Sequence, residues 1–162
     1  MSPDKGAHNA VEIARATGLP LKLVGKIHDV EEKAHFEAAV RPHLDGNIEY
    51  LGEVSHDEKV ELLQRAMVTL FPIQWPEPFG LVMVESMACG TPVAAIGLGA
   101  VPEVVEDGRS GIVDDTVEAL IARFPEAVAC DRADTSRAAH ERFSAERMVT
   151  DYEAAYSLLL GE

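Results

Sequence analysis

The chain has 162 residues, of which 47% are hydrophobic and 26% charged, a composition typical of a globular domain with a real core. Its net charge of −14 opposes nucleic-acid binding, because that affinity depends largely on lysine and arginine at the phosphates. With no membrane-length apolar run and no signal peptide, it is predicted to be one cytoplasmic domain over residues 1–162.

Strands and helices alternate along the first two thirds of the chain, which indicates βαβ units and a parallel sheet. The first predicted helix runs through Ala7, Ala10, Val11 and Ala14 and stops at Gly18 and Pro20. Three more helices are predicted, a charged one at about 30–44, one at 57–66 and a short one at 81–89. Strands are predicted between and after them, at 21–24, 48–51, 68–71, 91–96 and, as a short strand, 111–113.

The last third of the chain changes to helix. Segments 116–129 and 134–142 have helical patterns, and a last helix capped by Ser144 carries an apolar stripe of Met148, Tyr152, Ala155, Tyr156 and Leu159. No repeat or long linker divides the chain. The predicted fold is therefore α/β, a Rossmann-like parallel sheet with flanking helices.

Segment 77–85 contains two glutamates eight residues apart, Glu77 and Glu85, separated by a Pro-Phe-Gly turn and an apolar run. A carboxylate in an apolar run costs desolvation free energy, which a ligand rich in hydroxyl groups would offset. The segment follows a parallel strand, where open α/β sheets bind ligands, and the Gly80 and Leu81 amides would begin a helix, which favours an anion. The alternative interpretation is that Glu77 caps this helix and Glu85 pairs with a cation.

Glu77-Pro78-Phe79-Gly80 with Glu85 resembles the E-x7-E motif of the retaining glycosyltransferases of GT-B family 4, also called group 1. Segment 85–93 is similar to that family's E-A-M-A-C-G-T-P-V, and segment 99–111 to its G-G-x-P-E-x-V…G…G run. Ala100 replaces the second glycine, so this loop is expected to take positive φ less easily. The resemblance covers nearly the whole chain but only the C-terminal half of the family's enzymes.

The resemblance implies a role for each matching residue. Glu77, the candidate catalytic residue, would bind hydroxyls of the transferred sugar, and Glu85 would bind the ribose hydroxyls. The remaining candidates for donor binding are the backbone amides of Phe79, Gly80 and Leu81 at the sugar and diphosphate, Lys5 at the phosphates, and Val54, His56 and Lys59 in the loop at the nucleobase. For that loop, helix capping by Ser55 or Asp57 is an open alternative. Trp75 either lines the donor pocket or lies at its rim.

The resemblance implies the donor-binding domain of an enzyme that transfers a sugar from a nucleotide-diphosphate sugar to an acceptor. It implies no metal or other cofactor, and neither Cys89, Cys130 nor the six histidines have metal-type spacing. Two alternatives are a non-catalytic nucleotide-sugar-binding module and another GT-B activity, such as a sugar-nucleotide epimerase. A NAD-type dehydrogenase is disfavoured, because no G-x-G-x-x-G opens the first strand–helix turn.

In the family that the chain resembles, a strand ending in Gly-Arg precedes the segment that matches 2–6. We therefore expect Met1 to be an internal methionine, with the missing strand lying between those at 21–24 and 68–71. A sheet with this gap would close it or borrow a strand from another copy, which favours a homo-oligomer. The domain alone is expected to be inactive without an N-terminal acceptor-binding domain, through which any peripheral membrane contact would occur.

Overall fold

The computed structural model describes residues 1–161. Its helices and strands are α1 Ala7–Thr17, β1 Leu21–Val24, α2 Val30–Ala39, β2 Ile48–Gly52, α3 His56–Arg65, β3 Thr69–Phe71, α4 Leu81–Ala88, β4 Val93–Ile96, α5 Val101–Val104, β5 Gly111–Asp114, α6 Val117–Ala129, α7 Arg132–Phe143 and α8 Ala145–Leu160. The predicted strands and helices are all present, which confirms the α/β class.

Two helices differ from the prediction. The charged helix α2 ends at Ala39 rather than near residue 44, and a short 3₁₀ turn, Arg41–His43, follows it. Pro42 lies in that turn and explains the early end, since proline has no N–H to donate to a continuing helix. The four-residue helix α5 was not predicted, because it is too short to show a periodic pattern.

The strands form two parallel sheets. Strand β1 pairs with β2, and strands β3, β4 and β5 pair in that order. Within residues 1–161 no ladder joins the two sheets, so β1 and β3 each pair along one edge only.

Two hydrophobic clusters follow the same division. The larger surrounds the three-stranded sheet and includes the whole of β4, whose residues are all buried. The smaller lies between the two-stranded sheet, α1 and α2, with Phe36 and Val40 at its centre. Helix α1 links the clusters, because Ala10 packs in the smaller one and Ile13 in the larger.

Helix α8 begins where it was predicted, with the Ser144 hydroxyl accepting from the Arg147 N–H at 3.2 Å. Its apolar stripe is not covered by the rest of the domain, because every residue of the helix is exposed. Across residues 1–161, no helix combines the length and the apolar character that crossing a membrane requires.

Candidate functional site

Lys5 lies beside Glu77 because the first residues of the chain are hydrogen-bonded to the segment after β3. The Gln74 N–H donates to the Asp4 carbonyl at 2.8 Å. Gly6 has φ +70°, and a Cβ built there would lie 1.9 Å from the Pro72 carbonyl oxygen. Only glycine permits both this conformation and this close approach, so Gly6 fixes the position of Lys5 against the end of β3.

The Lys5 ammonium lies between a carboxylate and an aromatic ring. Its Nζ is 2.8 Å from Glu77 Oε2 and 4.6 Å from the centre of the Trp75 ring. The Lys5 side chain is 51% exposed, whereas that of Glu77 is only 12% exposed. The interpretation of Glu77 as a helix cap is wrong, because α4 begins after Gly80 with no side-chain cap.

The loop after β4 holds the Glu77 backbone. Glu77 and Gly99 form an isolated parallel bridge, and the Ala100 N–H donates to the Glu77 carbonyl at 2.8 Å. Gly99 has φ +62°, and a Cβ there would lie 2.3 Å from that carbonyl oxygen. Gly99 was matched to the family's G-G-x-P-E-x-V run without a role, so its contact with Glu77 was not predicted.

Ala100 does not strain the same loop. Its φ is −78°, an ordinary value for a residue with a side chain, and it precedes the first residue of α5. The positive φ of the loop belongs to Gly99. The expectation that Ala100 hinders a positive φ in this loop is therefore wrong, because position 100 does not need one.

A cleft of about 380 Å³ opens beside the start of α4. Five of the predicted site residues line this cleft, namely Lys5, Glu77, Phe79, Gly80 and Leu81. Phe71, Pro78 and Val82 also line it. The first N–H groups of any helix have no intrahelical acceptor and carry partial positive charge. The cleft therefore combines a helix N-terminus, an ammonium and a carboxylate in one place.

Phe79 separates this cleft from a second one of about 360 Å³, which α5, α7 and α8 border. The Phe79 ring meets the Phe143 ring edge to face, with their centres 5.8 Å apart. Arg142 anchors α7 beside them by donating to the Val104 carbonyl and the Glu106 carboxylate. These contacts hold Phe79, and with it the turn that follows Glu77, against α7.

Glu85 lies one turn beyond Leu81 on α4 and forms a second lysine–carboxylate pair. Lys59 of α3 donates to Glu85 Oε1 at 2.7 Å, and both side chains are about one-third exposed. The structure thus confirms that Glu85 pairs with a cation, as the alternative interpretation held. That cation is itself one of the predicted site residues.

The loop before α3 shows the capping that the sequence left open. The Ser55 hydroxyl accepts from the Glu58 N–H, and the Glu58 carboxylate accepts from the Ser55 N–H at 2.8 Å. The Ser55 hydroxyl also donates to the Glu58 carboxylate at 2.7 Å, and this bond, together with the one from the Ser55 N–H, lowers the pKa of Glu58. Val54 is half-buried and His56 exposed, and neither lines the cleft at Glu77. Of the predicted nucleobase residues, Lys59 forms a hydrogen bond with another site residue, Glu85.

The two cysteines are free thiols in the structure. Burial raises the pKa of Cys89, and the neighbouring Glu85 raises it further. Burial likewise raises the pKa of Cys130. Over residues 1–161, no three residues of the metal-binding types come together as a candidate ion site.

Parallel strands with a cleft at their carboxyl ends, and a helix that begins at the cleft, define a Rossmann-like ligand-binding domain. Comparison of the sequence with known families identifies one family within this class of domains. The model of the family described as "Glycosyl transferases group 1" matches residues 1–142, so the chain belongs to this family of glycosyltransferases.

Alpha-maltose-1-phosphate synthase of Mycolicibacterium smegmatis is 46% identical over 83 residues, which cover 48% of this chain and 21% of the synthase. AviGT4, a glycosyltransferase involved in avilamycin A biosynthesis, superimposes with a TM-score of 0.73 at 30% identity, covering all of this chain and 50% of AviGT4. Anabaena HepE in complex with UDP-glucose gives a TM-score of 0.76 at 22% identity, covering 98% and 46% of the two chains.

The fold is that of the C-terminal domain of a GT-B glycosyltransferase. The chain spans about half the length of the solved structures that it matches and about a fifth of the synthase. The predicted resemblance is confirmed for the group 1 family. Membership of family 4 and the individual site residues remain predictions.

Proposed function

We propose that residues 1–162 form the donor-binding domain of a retaining, family 4 glycosyltransferase that takes a sugar from a nucleotide-diphosphate sugar. One observation carries the proposal. The residues expected at the diphosphate and the sugar line a single cleft, and within it Lys5 and Glu77 form an ion pair although 72 positions separate them in the chain.

In this proposal the diphosphate is held by the Lys5 ammonium and by the amides of Phe79, Gly80 and Leu81 at the start of α4. Negative charge grows on the diphosphate as the sugar leaves, and oriented N–H groups and a cation stabilise that charge without reorganising. The net charge of −14 does not prevent this, because exposed charges are largely screened beyond about 8 Å at physiological ionic strength. No metal or other cofactor is needed.

Glu77 is proposed as the catalytic residue because its carboxylate would hold hydroxyls of the sugar that is transferred. It acts by orienting the sugar and need not be a general acid or base. Its low exposure suits this role, since a shielded acceptor discriminates between sugars more strongly than one in water.

The nucleoside is proposed to lie along α4 toward α3. Glu85 would accept hydrogen bonds from the ribose, and Val54, His56 and Lys59 would border the base. Glu85 now accepts from Lys59, and a partly exposed pair of this kind is worth only about 0–1 kcal/mol. Exchanging it for ribose hydroxyls therefore costs little.

The enzyme as a whole is proposed to be cytoplasmic and to include an acceptor-binding N-terminal half, which these 162 residues do not contain. The donor domain alone would bind the nucleotide sugar without transferring it. The edges of β1 and β3, which have no partner strand within residues 1–161, favour a homo-oligomer, and any peripheral membrane contact would lie in the acceptor-binding half.

A thermal-unfolding panel with UDP-, GDP- and ADP-glucose tests donor binding. A ligand at 100 times its dissociation constant adds about 2.7 kcal/mol to the free energy of unfolding, so the matching donor should raise the midpoint clearly. Glu85→Ala should abolish that rise. The matched control is Glu61→Ala, which removes an exposed carboxylate from α3. Either no response to any donor or an undiminished response of Glu85→Ala would contradict the proposal.

A further inference from the structure

Trp75 is the only tryptophan of the chain and lies two residues before Glu77. Its ring packs against the larger hydrophobic cluster and presents a face to the Lys5 ammonium, 4.6 Å away. Its Nε1 is buried with no hydrogen-bond partner among residues 1–161. Packing and the adjacent cation, rather than a hydrogen bond, therefore hold this ring.

Lys5 is a flexible side chain, and half of its surface is exposed. An ion pair with one exposed partner is weak, because water competes for the charge and the long side chain loses rotamer freedom. The Trp75 ring adds a second attraction, between the ammonium and the π face. The ring does not compete with an anion for the same side of the ammonium, whereas Glu77 does.

We propose that Trp75 is a positioning residue, which keeps the Lys5 ammonium at the cleft while Lys5 exchanges Glu77 for the diphosphate of the donor. The inference rests on the proposed function and deepens it. While Lys5 donates to Glu77, part of the hydrogen-bond acceptor capacity of the Glu77 carboxylate is used. When the ammonium turns to the diphosphate, Glu77 becomes free to accept from sugar hydroxyls, so binding the diphosphate prepares the sugar site.

Because Trp75 is the only tryptophan, its fluorescence reports the contact without any ligand. Lys5→Met should change the emission spectrum, and Lys5→Arg, which can also stack on the ring, should restore most of it. Lys22→Met is the matched control, since Lys22 is equally exposed and pairs with Glu49 on β2. Identical spectra for Lys5→Met and the unmodified protein would overturn the inference.

A double-mutant cycle with inorganic pyrophosphate then tests the positioning. Trp75→Leu should weaken pyrophosphate binding about two- to fivefold, the range for an exposed cation–π contact. Trp75→Phe should keep most of the affinity. In the Lys5→Met background Trp75→Leu should have no further effect. An equal loss in both backgrounds would mean that the ring acts through packing alone, which would overturn the inference; circular dichroism verifies folding of each variant.

Glu77→Gln tests the exchange itself. Removing the carboxylate that competes for Lys5 should tighten pyrophosphate binding up to about fivefold, and the gain should disappear in the Lys5→Met background. A weaker affinity of Glu77→Gln, or a gain that persists without Lys5, would overturn the exchange. If pyrophosphate fails to bind the unmodified protein, the proposed function fails, whereas the fluorescence result still decides whether Trp75 holds Lys5.

Discussion

The two sheets of this domain are unequal. In the three-stranded sheet the central strand β4 is buried along its whole length. In the two-stranded sheet only Leu23 of β1 and Ile48 of β2 are buried, and Lys22 and Val24 are exposed. The sheet that contains β4 therefore provides most of the stability, and the smaller sheet is a thinner layer attached to it chiefly through α1.

The cleft at Glu77 lies beside the end of β3, in the part that contains the three-stranded sheet. Both lysines, Lys5 and Lys59, come from the residues that precede β3, and both carboxylates, Glu77 and Glu85, come from the residues that follow it. Each ion pair therefore joins two segments that are distant in the chain. The following predictions test how differently the two sheets, and the loop that holds Glu77, respond to substitution.

The largest expected effect is on the core of the three-stranded sheet. Ile112→Ala in β5 should lower the free energy of unfolding by about 4 kcal/mol, because it leaves a cavity where the side chain is fully buried. Ile48→Ala in β2 should cost about 2 kcal/mol, since the thinner layer can collapse around the lost atoms. Urea unfolding of both variants measures the difference. Equal losses would show that the two layers are equally well packed.

The second effect is on the link between the loop after β4 and Glu77. Gly99→Ala should cost about 1–3 kcal/mol for its positive φ, and its Cβ would also push on the Glu77 carbonyl at 2.3 Å. Gly108→Ala is the matched control, with φ +78° but open space around the new Cβ. Donor or pyrophosphate binding should fall in Gly99→Ala only. Equal binding by both variants would mean that this loop does not position Glu77.

The strands could be predicted from the sequence because each is a short apolar run between turn residues. The site segment could be predicted because its carboxylates, glycine and turn are close together in the chain. The contacts of Gly99 with Glu77 and of Lys5 with Trp75 could not, since they join residues brought together only by folding. Neither short-range pattern nor composition encodes which loop lies against which.

A smaller, pH-dependent effect is expected in the two-stranded part. His8 of α1 and His35 of α2 contact each other at 3.2 Å. Burial lowers the pKa of His8, His35 lowers it further, and Glu12 opposes the change. Because the folded pKa lies below the unfolded value of 6.5, stability should fall as the pH drops below about 6.5 and level off below the folded pKa.

The loss of stability at low pH should appear first as faster hydrogen exchange of the α1 and α2 amides, because these helices should open before β4 does. His8→Gln should reduce this pH dependence. His28→Gln is the matched control, because that histidine is exposed and lies before α2 rather than against α1. An unchanged pH dependence in His8→Gln would assign the acid sensitivity to other groups.

The smallest effect is expected in α8, where Leu159 is 82% exposed. Leu159→Gln should change the free energy of unfolding by less than about 0.5 kcal/mol, since it removes no buried surface. Comparison with Ile112→Ala then shows how differently a buried and an exposed apolar side chain contribute to the free energy of unfolding of the same chain. A loss above about 1 kcal/mol that grows with protein concentration would instead show that α8 is covered in solution by another copy of the chain, because only association makes stability depend on concentration.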